Sequence, residues 1–295
     1  MRYVLAVCFL AANLAHAAGA RTFASPEEAV QALVAAARAN DTRAILAVLG
    51  QEAKEIVRSG DAATDKQARE RFIKAYGEAN KISRPNDGMA LLLVGKDEWI
   101  MPIPMVKDAS GWHFDAAEGK EEILNRRIGR NELHAIQAVQ AYVDAQKEYY
   151  LRNPRNDKLL QYAQKLVSGK GGRDGLYYPV KAGEPASPLG PLFDRLRPAA
   201  KGEAEKHTPY HGYYYRILKG QGPDAHGGAY SYLAQGHMIG GFALVAWPAA
   251  YGNTGIMTFI VNQDGVVYQK DLGRGTSAAA RKIPVFNPDK SWKPL

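Results

Sequence analysis

The chain has 295 residues, with 38 Lys+Arg against 30 Asp+Glu, 46% hydrophobic residues and one cysteine. That length suits about two domains, and the hydrophobic share excludes a disordered chain. The single cysteine, Cys8, lies in the extreme N-terminal segment. The rest of the chain therefore has no thiol chemistry: no internal disulfide, no cysteine nucleophile, no thiolate zinc site and no iron–sulfur cluster.

Residues 1–20 carry Arg2, an apolar run over 3–12, and then small residues at Ala15, Ala17, Ala18 and Ala20. This is the pattern of a bacterial secretory signal, with cleavage expected after Ala17 or Ala20, and the run is short for a bilayer span of ~20 apolar residues. A retained anchor is the alternative. Lipid attachment would need a cysteine at the end of the run, whereas Cys8 lies in its middle. The expectation is a periplasmic or secreted protein with no transmembrane segment after cleavage.

Charge is uneven along the rest. Residues 21–125 hold 14 Lys+Arg and 17 Asp+Glu, a net of −3, while residues 126–295 hold 23 and 13, a net of +10. Two units are implied, the second suited to an anionic partner such as an acidic glycan, a membrane surface or an envelope protein. A solvated basic face is the plainer alternative.

In the first unit, Ser25-Pro26-Glu27-Glu28 reads as a capping box ahead of Ala29, Val30, Leu33, Val34 and Ala37, which predicts an amphipathic helix. Asn40-Asp41-Thr42 opens a second helix that ends at Gly50, and a third is expected over 64–80. Strands are expected over 89–94, 98–106 and 111–115. After a short run over 119–124 and the basic Arg126-Arg127-Ile128-Gly129-Arg130, the longest helical pattern occupies 131–151. Its apolar stripe is Leu133, Ile136, Val139, Val143 and Tyr150. Residues 152–210 are irregular, with one helical piece over 159–166. Strands are expected over 210–218, 229–233, 238–247, 255–262 and 266–271, the last two joined by Gln263-Asp264-Gly265. The fold class expected is α+β: helices plus a curved antiparallel sheet, then a long helix packed on a C-terminal antiparallel sheet.

Few residues point to chemistry. Histidines 113, 134, 207, 211, 226 and 237 are the first suspects, but Pro209 interrupts the His207/His211 spacing and no shared helical face results. The loop 169–175 is basic and glycine-rich without the Lys-Ser/Thr ending of a phosphate cradle. No catalytic residue, metal site, cofactor or nucleic-acid partner is expected. The sharpest local signal is Tyr210-His211-Gly212-Tyr213-Tyr214-Tyr215-Arg216. As a strand it places His211, Tyr213 and Tyr215 on one face and Tyr214 and Arg216 on the other. Exposed, such a row suits sugars or protein contacts; half-buried, it is an ordinary aromatic strand. In the first unit Asp115, Trp112 and Trp99 are candidates for a pocket, with Asp115 as a buried general base or a solvated carboxylate.

Several motifs carry a likeness across the mature chain: Phe23-Ala24-Ser25-Pro26-Glu27-Glu28, Arg127-Ile128-Gly129-Arg130-Asn131-Glu132, Tyr142-Val143-Asp144-Ala145-Gln146, Arg173-Asp174-Gly175-Leu176-Tyr177, Tyr210-His211-Gly212-Tyr213-Tyr214 and Gly240-Gly241-Phe242-Ala243-Leu244. Together they resemble a bacterial family of exported proteins catalogued as domain of unknown function 2950. The resemblance implies export and supplies no activity. The second half, with its Tyr251-Gly252-Asn253-Thr254-Gly255 segment, looks like the globular part of type IV pilins, except that the basic run 126–130 stands where a pilin helix is apolar. The first half resembles the cone-shaped fold of the ketosteroid-isomerase superfamily, a fold that hosts enzymes and inert modules alike. The expected organisation is a signal over 1–20, a cone-like α+β domain over 21–125, and a pilin-like helix-plus-sheet domain over 126–295 with a long irregular insertion over 152–210. The leading expectation is a non-catalytic binding or scaffolding protein of the cell envelope that works through the Tyr213–Arg216 strand. The alternative is a small-ligand binder or enzyme that uses a pocket in the first half.

Overall fold

The computed structural model describes residues 20–58, 60–190 and 209–295. Residues 1–19, most of the expected signal, and residues 191–208, with His207, lie outside the described residues. The chain divides into two compact units at Leu124 and Asn125.

Unit 1 begins with α1 (Pro26–Arg38). The Ser25 hydroxyl accepts the Glu28 amide at 3.2 Å, which satisfies one of the helix's orphan donors, and the Glu28 carboxylate reaches back to the Ala24 amide at 3.2 Å just before the cap. Asp41 caps α2 (Thr42–Leu49) through the amides of Arg43 and Ala44. Then follow α3 (Lys54–Val57) and α4 (Ala62–Glu78). The sheet consists of β1 (Asn80–Asn86), β2 (Met89–Val94), β3 (Trp99–Ile100), β4 (Met105–Asp108) and β5 (Gly111–Phe114). Its order is β1-β2-β4-β5, with β3 pairing to β2, all antiparallel. Phe23 exchanges two backbone hydrogen bonds of 2.8 Å with Trp112 at the β5 edge. Gly111 permits this approach, because a Cβ there would lie 2.7 Å from the Phe23 carbonyl oxygen. Leu92, Met105 and Phe114 form the fully buried floor on which α1 and α2 pack.

α5 (Ala116–Arg152) runs on without interruption through the boundary residues. In unit 2 its buried positions include Ala135, Val139, Tyr142, Gln146 and Tyr149, spaced by four or three residues as a packed helical face requires. The main sheet is built from β8 (Tyr213–Leu218), β13 (Ala243–Pro248), β14 (Met257–Asn262), β15 (Tyr268–Asp271) and β16 (Lys293–Pro294), in the order β16-β15-β14-β13-β8. Central β13 is buried at every position, the burial expected of a strand covered on both faces. Residues directly opposite one another share a face, and the register Tyr215↔Ala246↔Phe259 defines the face that also carries Tyr213. There the rings of Tyr213 and Phe259 lie 5.8 Å apart and α5 closes over them. The opposite face, marked by Arg216↔Val245↔Ile260, is covered by α6 (Thr276–Lys282) and the segment leading to Trp292.

Short pairs complete the unit. β6 (Lys165–Val167) and β7 (Gly175–Tyr177) are parallel. β9 (Gly220–Gln221) pairs with β10 (Tyr230–Ser231), and β11 (Leu233–Ala234) with β12 (His237–Met238).

The α+β class holds, while several details differ from expectation, among them the strands expected over 98–106 and 238–247, each of which is broken in two. Helix α5 starts at Ala116, fifteen residues before the expected start, because the polar run 116–130 has no proline and is rich in helix formers. Residues 159–166 form no helix: Ala163 is pinned by Gln146, and β6 begins at Lys165. β1 was not expected at all; it is a mostly exposed strand at the sheet edge whose register shifts between Ser83 and Asn86, around Pro85, where a ladder tolerates proline. On α5, Val139 and Val143 of the expected stripe are buried, but Leu133 is 62% exposed and the polar Gln146 is fully buried.

Candidate functional site

The first candidate is a cavity of about 260 Å³ in unit 1. Capping fixes the directions of α1 and α2, so that Leu33 and Ala37 of α1 face Ile45 and Leu49 of α2 across it. Ile56 and Val57 of α3, Phe72 of α4, and Met101 and Ile103 of the segment between β3 and β4 close the remaining walls. Trp99 of β3 stands at the mouth, 50% exposed. Asp65 and Arg69, one helical turn apart on α4, supply the charged part of the lining. The Arg69 guanidinium is held by an Nε hydrogen bond of 2.6 Å to the Asn40 carboxamide oxygen. The volume is a little below the ~300–1,000 Å³ of ordinary small-molecule sites, which suits one hydrocarbon chain or one ring system.

Of the three first-half candidates, Trp99 alone lines this cavity. Trp112 is buried at the β5 edge beneath the Phe23 bridge, with the Lys107 ammonium 6.0 Å from its ring centre. Asp115 is the N-cap of α5: its carboxylate accepts the amides of Ala117 at 3.1 Å and Glu118 at 3.0 Å. A general base there would surrender two backbone donors. The cavity's aliphatic lining was missed because it is assembled from four helices whose apolar positions each read as ordinary core.

The tyrosine strand is tied closely into the fold of unit 2. His211 and Gly212 both take left-handed backbone angles, so Tyr210 and Tyr213 exchange two hydrogen bonds, of 2.8 and 3.0 Å, across a two-residue turn. His211 therefore sits in the turn and not on the strand face expected of it. Tyr213 is fully buried; its hydroxyl donates to the Met257 carbonyl at 3.0 Å. Burial, reinforced by the nearby Glu132 carboxylate, pushes its ionisation far up. Tyr214 packs on Trp247 at 5.8 Å, and burial raises the Tyr215 ionisation likewise. The Arg216 guanidinium donates to the carbonyls of Ala280 at 3.0 Å and Ile283 at 2.7 Å, so it caps the C-terminal end of α6.

These motifs meet in one knot. Glu132 accepts the amides of Ile256 at 2.8 Å and Met257 at 3.0 Å, Asn131 donates to the Thr254 carbonyl at 3.0 Å, and Arg127 bonds Asn253. A Cβ at Gly212 would lie 2.7 Å from the Asn131 amide nitrogen. The knot also brings the His134 and His211 rings to 4.2 Å, a pairing that their wide separation in the chain hides. Among the described residues no group of three or more His, Cys, Asp or Glu side chains could hold a metal ion, and no helix is long and apolar enough to cross a membrane.

An α+β protein of two units, with an apolar cavity in the first and an aromatic knot in the second, is the class these features define. The chain belongs to the family described as protein of unknown function (DUF2950), whose model matches residues 20–295. No curated protein and no solved structure matches it.

Proposed function

We propose that the protein is exported, is cleaved after Ala17 or Ala20, and serves in the cell envelope as a binding protein whose first unit takes a small, largely apolar ligand. The observation that carries this reading is the half-exposed Trp99 at the mouth of an aliphatic cavity of about 260 Å³. Filling such a cavity removes apolar surface from water at about 25 cal/mol per Å². Asp65 and Arg69 at the lining would meet a polar end group.

The tyrosine strand supports the leading sequence expectation less well. Tyr213 is fully buried, Tyr214 and Tyr215 are half-buried against the core, and the Arg216 fork is occupied by helix carbonyls. What favours that second reading is charge: a net of +10 over residues 126–295 would draw an anionic glycan, a membrane surface or an acidic envelope protein.

The cavity is tested by thermal unfolding with n-decanol and with decanoate, for wild type and Ala68→Trp. Ala68 is exposed on α4 and borders the cavity, so a larger side chain there obstructs the mouth without entering the core. The wild-type midpoint should rise with ligand, by about 2.7 kcal/mol of stability at a hundredfold excess over Kd, and the variant's should not. Equal rises in both would contradict the assignment. Export is checked separately by N-terminal sequencing from an envelope fraction, with Ala18 or Arg21 expected as the first residue; an intact Met1 would refute cleavage.

A further inference from the structure

Unit 2 holds a second cavity, of about 190 Å³, between the end of α5 and the start of β6. Its chemistry is unlike that of the first. Tyr149 and Tyr162 supply the aromatic wall, and Arg155, Gln161, Gln164, Lys165 and Asp174 the polar one. Most are held from outside, and Lys165 and Asp174 hold each other. The Tyr149 hydroxyl donates to the Arg173 carbonyl at 2.8 Å. Tyr162 is stacked on Tyr150 and set edge-on to Phe242, both at 4.8 Å. Arg155 uses Nε on Asp157 at 3.3 Å, Lys165 reaches Asp174 at 2.6 Å, and the Gln164 amide donates to the Gly236 carbonyl at 2.7 Å.

Every one of these contacts occupies only part of its group's capacity. A guanidinium has five N–H donors and an ammonium three, and a carboxamide keeps its acceptor oxygen after donating. The two cations are matched by two carboxylates, Asp157 and Asp174. A lone anion would have to compete with both, whereas a molecule with many hydroxyls uses donors and acceptors together and lays its C–H surface on tyrosine. Side chains fixed beforehand lose little freedom on binding. We infer that this cleft binds a single neutral sugar ring, with Arg155, Lys165, Asp174 and Gln164 bonding its hydroxyls. The inference is independent of the apolar cavity, which lies in the other unit.

The test is isothermal titration of the full chain with a panel of neutral pyranoses, N-acetylglucosamine, glucose and galactose, against sodium acetate and glycerol. At least one pyranose should bind with Kd of about 1 mM or tighter. Arg155→Ala, whose side chain is 44% exposed, should weaken binding about tenfold at an unchanged thermal midpoint. Tyr162→Phe, which keeps the ring and removes the hydroxyl, should weaken it less. No heat with any pyranose, an Arg155→Ala variant that binds like wild type, or acetate binding as well as the sugars would each overturn the inference.

Discussion

Glu132 shows how one side chain organises a region. Its carboxylate accepts two consecutive amides at the start of β14, and beside it the Tyr213 ring fills the space that a side chain at Gly255 would need. A Cβ at that glycine would lie 2.1 Å from the Tyr213 hydroxyl oxygen. Gly255→Ala should therefore destabilise unit 2 by about 1–3 kcal/mol, the usual cost of overpacking, as read by urea unfolding; an unchanged midpoint would show that the ring can move aside. Gly129, in the interior of α5 with nothing within 4 Å of a Cβ, should respond in the opposite sense. Gly129→Ala should stabilise by about 0.5–1 kcal/mol, since mid-helix glycine carries that penalty relative to alanine. The motifs containing Asn131, Glu132, Gly212 and Gly255 stand out in the sequence, yet their role does not. Each bonds or packs against a partner far away along the chain, and no local pattern encodes that.

The clearest element-scale test is the start of α5. Asp115 is worth a helix cap, about 1 kcal/mol, and Asn caps equally well. Asp115→Ala should lower stability by about that amount and Asp115→Asn should not. Equal losses in the two variants would mean that the charge, and not the cap, is what matters. Elements with strong local codes were legible: the α1 capping box, α2 between Asp41 and Gly50, the buried β13, and the two strands flanking the Gln263-Asp264-Gly265 turn all read directly from spacing and turn residues. Elements set by tertiary contacts were not. β1 is polar and exposed, so no period of two marks it. Residues 159–166 carry helix formers, but the buried Gln146 carboxamide bonds both the amide and the carbonyl of Ala163, and that contact outweighs weak propensity. The unit-1 cavity is half legible in the sequence: Trp99 lines it, while Asp115 and Trp112, candidates by residue type alone, serve a cap and an edge.

At the scale of the molecule, the two units should differ sharply in alkali. Burial pushes the ionisation of Tyr142, Tyr213, Tyr215 and Tyr232 far up, and that of Tyr149 up to about 12. All lie in unit 2, whereas residues 21–124 contain a single tyrosine, Tyr76. A raised folded pKa means that the unfolded chain loses its protons first. The stabilisation is whole below pH of about 10 and drains as pH climbs toward the folded values, by about 1.4 kcal/mol per pH unit for each such tyrosine. Unit 2 should thus unfold before unit 1 as pH passes about 10, with the last share of the phenolate absorbance appearing only as its near-ultraviolet signal is lost; complete phenolate formation with that signal intact would contradict the burial. The net charge of +10 over residues 126–295 bears on partners, and the cavity of unit 1 bears on the central claim. That claim is tested most directly by a nuclear magnetic resonance titration of the full chain with decanoate. The account predicts saturable shifts at the Trp99 indole and at the methyl groups of Leu33, Ile45 and Ile103, and none at the Trp247 indole. Shifts that are absent, or spread evenly over both units, would contradict it.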